Sequence, residues 1–98
     1  LPYEEFYEDG QLKEKIEKKG NIFIKEAFYP NGKLYEKGQF ENGIMIGNWQ
    51  EYHEKEIWKG EYDSSGSRCG TWKVYDYKNK HIENILFDEF GPKRIKKN

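Results

Sequence analysis

Tyr29-Pro30-Asn31-Gly32-Lys33-Leu34-Tyr35-Glu36-Lys37-Gly38-Gln39-Phe40-Glu41-Asn42-Gly43-Ile44-Met45-Ile46-Gly47-Asn48-Trp49-Gln50-Glu51-Tyr52 is the stretch that decides the fold, because a copy of it follows. Tyr29, Leu34, Gly38, Phe40, Gly43, Gly47, Trp49 and Tyr52 map onto Tyr52, Ile57, Gly60, Tyr62, Gly66, Gly70, Trp72 and Tyr75 at offsets of 22 or 23. One deletion between Ile57 and Gly60 accounts for the two offsets of 22. Upstream, Tyr7, Gly10 and Leu12 precede Tyr29, Gly32 and Leu34 by 22, and Gly20 precedes Gly43 by 23. Downstream, Tyr77 to Ile82 echoes Tyr29 to Leu34, and Phe87 stands where Phe40 did, as a final half-unit. Self-similarity at such a period is the mark of a repeat architecture.

Each unit reads as two strands and two turns. Leu34 to Phe40 is one strand, Glu41-Asn42-Gly43 opens a turn, and Gly47 to Tyr52 returns. Asn-Gly supplies two residues that tolerate positive φ, as a tight hairpin requires. Tyr29-Pro30-Asn31-Gly32 joins the units, with Pro presetting φ and Gly available for the left-handed position; Glu8-Asp9-Gly10 is its weaker copy. Hairpins linked by short turns predict an all-β antiparallel meander forming an elongated ribbon. The predicted organisation is one repeat domain over 1–91, with units near 6–28, 29–51, 52–74 and a partial 75–91, then a basic tail over 92–98. Gln11 to Lys19 could be a short helix from Leu12 and Ile16 at i,i+4; the repeat register favours a strand.

Composition agrees. The chain has 98 residues, with 17 Lys and Arg against 18 Asp and Glu. Eight Tyr, six Phe and three Trp stand beside a single Ala, a balance that favours strands over packed helices. Net charge near zero and abundant aromatics argue for an ordered chain with a thin aromatic core. Cys69 is alone, so an intrachain disulfide and a Cys₄ or Cys₂His₂ zinc site are excluded. No apolar run is long enough for a bilayer-spanning helix, so the chain reads as soluble. Leu1 in place of Met points to a processed terminus or a fragment and leaves the compartment open between cytoplasm and export.

Tyr-Pro-Asn-Gly-Lys-Leu over 29–34, then Gly38-Gln39-Phe40, Asn42-Gly43, Gly47-Asn48-Trp49 and Tyr52, resembles the bacterial variant of the MORN repeat. The units of that family run roughly Tyr-x-Asn-Gly-x-Leu, Gly-x-Tyr, Asp-Gly, Gly-x-Trp, Tyr. The resemblance covers Phe6 to Phe87 and is strongest from Phe28 to Tyr75. The first unit departs with Ile24-Lys25-Glu26 where Gly-x-Trp is expected, and the third has Glu54-Lys55 in place of the Asn-Gly turn. The resemblance implies a non-catalytic interaction module. Some bacterial relatives resemble antitoxin or immunity proteins, and others look exported or attached to the cell surface.

Residues with chemistry available to them are few. His53 falls at a variable turn position, His81 opposite Lys33, and Cys69 in the slot of Ile46; they are read as two solvated histidines and a small apolar side chain. Asp63-Ser64-Ser65-Gly66-Ser67 matches neither a nucleophile elbow nor a P-loop and is read as an expanded hairpin turn. No nucleophile, base, cofactor or metal set is assembled, and the chain is expected not to be an enzyme.

Recognition is the positive expectation. Gly38, Phe40, Gly43, Gly47, Trp49, Gly60, Gly66, Gly70 and Trp72 recur and are assigned to the structure of the repeat. Trp58, Tyr62, Tyr35, Tyr52 and Tyr75 are the candidate partner-binding residues, since such rings concentrate interface energy. Trp58 has Tyr35 as its nearest counterpart and is open to either role. The expected partner is an unidentified protein, with self-association through edge strands as a second possibility. The alternative is a membrane-peripheral module in which the four positive charges of the last segment meet anionic lipid. Against that, no basic position is read as repeating across the units, and near-neutrality disfavours nucleic acid.

Overall fold

The computed structural model describes residues 2–97. Among them, nine strands form one open antiparallel sheet in sequence order: β1 Tyr3–Phe6, β2 Leu12–Lys19, β3 Ile22–Phe28, β4 Leu34–Glu41, β5 Ile44–Tyr52, β6 Ile57–Tyr62, β7 Arg68–Tyr75, β8 His81–Asp88 and β9 Gly91–Lys96. The expected all-β hairpin meander is therefore the fold. Leu12–Lys19 is a strand paired on both sides, so the repeat register prevails over its helical spacing.

Turn chemistry sets the register. Asn42 and Gly43 both have positive φ, at 53° and 77°, and form the two-residue loop that closes Glu41 onto Ile44. Asp63 to Ser67 is the expanded turn expected of it: Asp63 N–H donates to Ser67 O at 2.8 Å and Gly66 N–H to Asp63 O at 3.0 Å. The same pair of bonds closes Tyr7 to Gln11, Tyr29 to Lys33 and Asp76 to Lys80.

A bulge recurs in the second strand of the two central hairpins. Between Lys37 and Gln39, β4 carries only Gly38, where β5 carries Gly47, Asn48 and Trp49 between Ile46 and Gln50. Gly60 of β6 faces Gly70, Thr71 and Trp72 of β7 in the same way. Gly47 and Gly70 take positive φ, 68° and 70°, which lets the extra residues turn back and carries each indole over the glycine opposite. Trp49 and Trp72 are fully buried as a result. They alternate with Phe40, Tyr62 and Phe87 in a chain of edge-to-face contacts whose centroids lie 5.1, 5.5, 5.3 and 6.1 Å apart. Each such pair adds about 0.5–1.5 kcal/mol beyond burial. Val74 and Ile85 complete this aromatic cluster, which lies on one face of the sheet, while Ile57 is buried on the other.

Two expectations are corrected. The last unit is a full hairpin, β8 with β9, rather than a half-unit. The basic tail expected over 92–98 is a strand over Gly91–Lys96, held by pairing to β8 and by Arg94, whose guanidinium is drawn to carboxylates on the core face.

Candidate functional site

Cross-strand partners share a face, so the register defines rows of side chains. One row reads Glu36, Glu51, Trp58, Val74, Glu83, Lys96 from β4 to β9, on the face of the Trp core. Its acidic members lie next to apolar rings and need counter-charges. The only two arginines of the chain supply them at Glu51 and Glu83.

Glu51 is 5% exposed and accepts from Arg68 Nε at 2.9 Å, Arg68 Nη2 at 2.8 Å and the Tyr62 hydroxyl at 2.6 Å. Burial pushes the Glu51 carboxyl up, and the bonds from Arg68 and Tyr62 outweigh it, leaving it below the usual carboxylate range. Burial and the bond to Glu51 together raise the Tyr62 phenol. Glu83 holds Arg94 through Nε at 2.7 Å and Nη2 at 2.9 Å, and Arg94 Nη2 also reaches Glu56 at 2.8 Å. The hydrogen bond from Arg94 keeps Glu83 below the usual range.

Trp58 stands between these two ion pairs. Arg68 lies 5.4 Å and Arg94 5.6 Å from its ring centroid, and the His53 imidazole packs against it at 4.3 Å. Its indole N–H donates to Glu56 Oε1 at 3.0 Å. The ring is thus fixed in place while remaining half-buried, with both guanidiniums fixed beside it. His53, expected to be a solvated turn residue, is instead half-buried, its Nε2 3.2 Å from Glu51, because the turn folds back over the ring. His81 also leaves the turn; it lies on β8 with Nε2 2.7 Å from Asn84 Oδ1 and its ring 5.4 Å from Tyr75.

The five partner-binding candidates do not form one patch. Trp58 and Tyr62 lie on the core face, and Tyr62 is part of the aromatic chain there. Tyr52 and Tyr75 share the opposite face, in register through Ile57, and alternation from Glu36 puts Tyr35 there too. Tyr35 packs edge-on against Tyr29 at 5.0 Å. Cys69 is half-buried and pairs with Glu61. Among the described residues, no three His, Cys, Asp or Glu side chains converge as a metal set.

Sequence reasoning missed Arg68, Arg94, Glu51, Glu56 and Glu83. The available signal was the use of Arg at just two places in a chain that otherwise uses Lys. It also missed a repeated basic position: Lys15, Lys37 and Lys59 recur at 22 and lie in one row of the face opposite the core. Comparison with protein-family models, curated proteins and solved structures finds no match for this chain.

Proposed function

We propose that the chain is a non-catalytic protein-interaction ribbon of the MORN-variant kind, with toxin neutralisation or immunity as its most specific form. The arrangement around Trp58 supports this reading. Trp, Tyr and Arg are the residue types that dominate interface energetics. Here a half-buried Trp stands beside two arginines already held by Glu51, Glu83 and Glu56. Little side-chain entropy remains to be lost when a partner covers it. Both guanidiniums beside the ring are already engaged by carboxylates, so the surface suits a partner contributing apolar or aromatic area rather than a bare anion. The anionic-lipid alternative draws on fewer free charges, since Arg94 is engaged and pairing in β9 sends Lys93 and Lys96 to opposite faces.

Affinity capture from lysate and medium of the source organism, with the parent, Trp58→Ala and Tyr35→Ala, tests the reading. One protein retained stoichiometrically by the parent and by Tyr35→Ala, and lost with Trp58→Ala, is the expected result. Equal retention by all three variants overturns it.

A further inference from the structure

The face opposite the Trp core carries a row of its own. From β4 to β8 it reads Lys37, Gln50, Lys59, Lys73, Asn84, each in register with the next. Lys59 and Lys73 are direct cross-strand neighbours, a like-charge pairing that disfavours the sheet. Among the described residues, no carboxylate lies within salt-bridge distance of Lys37, Lys59 or Lys73, although the other face pairs Lys25, Arg68 and Arg94 with acids. Lys59 rests 4.8 Å over the Tyr75 ring. The acidic groups nearest on this face are Glu26, opposite Lys37, and Glu61, two residues beyond Lys59 on β6; they flank the lysines without forming a salt bridge to them.

The bulges shape this face as well as the core. Trp49 and Trp72 fill the core side over Gly38 and Gly60, and those glycines put bare backbone in the floor of two shallow troughs on the other side. Gln39, Asn48, Gln50 and Thr71 line the troughs with side chains able to hydrogen-bond. We propose that this face docks an extended acidic segment of a partner protein, laid across the strands from β4 to β7. Three inter-strand spacings separate Lys37 from Lys73, about 14 Å at ~4.8 Å each. In an extended chain, carboxylates at i, i+2 and i+4 lie on one side and span about 14 Å as well. A duplex or a bilayer is broader than the patch and would meet Glu17, Glu26 and Glu61 around it. The proposal is independent of the role of Trp58, which lies on the other face.

The test is fluorescence polarisation with a labelled peptide of alternating Glu and Ser, against the same peptide with Gln for Glu. A short oligothymidylate and phosphatidylcholine–phosphatidylserine vesicles are run at matched salt. Expected is saturable binding of the Glu peptide, weakened about tenfold by the triple substitution Lys37→Gln, Lys59→Gln, Lys73→Gln and retained by the corresponding triple Arg variant. Lys73→Glu alone, at an exposed position, carries the comparison should the triple variant melt lower than the parent. Absence of saturable binding, equal binding by the substituted chains, or tighter binding of the oligonucleotide or vesicles overturns the proposal.

Discussion

The indole of Trp49 covers Gly38 on the neighbouring strand so closely that a Cβ at position 38 would come within 2.0 Å of a ring carbon, and Trp72 covers Gly60 in the same way, at 2.3 Å. The recurring Gly and Gly-x-Trp are therefore two halves of one contact. Gly38→Ala is expected to destabilise by about 3 kcal/mol, at the upper end for overpacking, because the burial of Trp49 leaves the ring no room to move. Ala at Gly10, where a Cβ meets open space, isolates the backbone cost of positive φ, about 1–2 kcal/mol. Urea melts of both variants check the order.

The two core tryptophans differ in one respect. Trp72 donates its indole N–H to Glu61 O at 3.0 Å, whereas the Trp49 indole finds no protein acceptor among the described residues. Trp49→Phe removes an unpaired donor, while Trp72→Phe breaks a hydrogen bond. Trp72→Phe is expected to cost about 1 kcal/mol more than Trp49→Phe in the same melts.

Much of the fold was legible because the repeat fixed the turns, and the turns fix the register. Tyr29 to Lys33 and Asp63 to Ser67 announce themselves through Gly, Asn, Pro and Ser at set offsets. The ninth strand was not legible. Gly91 to Lys96 has Pro and three charges close together, the pattern of a solvated end; what orders it is pairing with β8 and a bond between Arg94 and Glu83, eleven residues earlier. The cluster around Trp58 was half legible. The ring stood out as a departure from the repeat, but its neighbours come from β5, β7, β9 and a turn, and only the register brings them together.

Removal of residues 92–98 follows from that bond. A solvated tail would leave the melting temperature unchanged. Here the deletion strips the edge from β8 and leaves Glu83, 8% exposed, without Arg94. A loss of about 2 kcal/mol is expected, read as a fall of roughly 8–16 °C in a domain of this size. Arg94→Ala alone should give part of it.

Acid sensitivity has a definite sign. The folded-state carboxyls of Glu51 and Glu83 are lowered, so their contribution is fully present above the unfolded value, about 4.3, and is lost as pH falls through the lower folded values. Stability is expected to be flat toward neutrality and to drop below about pH 4. Glu51→Gln should flatten that drop. Arg68→Ala should instead cost about 2 kcal/mol at neutral pH by leaving Glu51 buried without its cation, less than for a fully buried pair because Arg68 is 38% exposed. Melting temperatures across the acid range distinguish the two variants.

On the proposed reading, Trp58, set between Arg68 and Arg94, is where a partner protein binds. Titration calorimetry of the captured partner against the parent, Trp58→Ala and Tyr35→Ala measures it directly. A loss of about 2 kcal/mol, roughly thirtyfold in Kd, is expected for Trp58→Ala with Tyr35→Ala unchanged. Undiminished affinity in Trp58→Ala would show that the partner binds elsewhere on the ribbon.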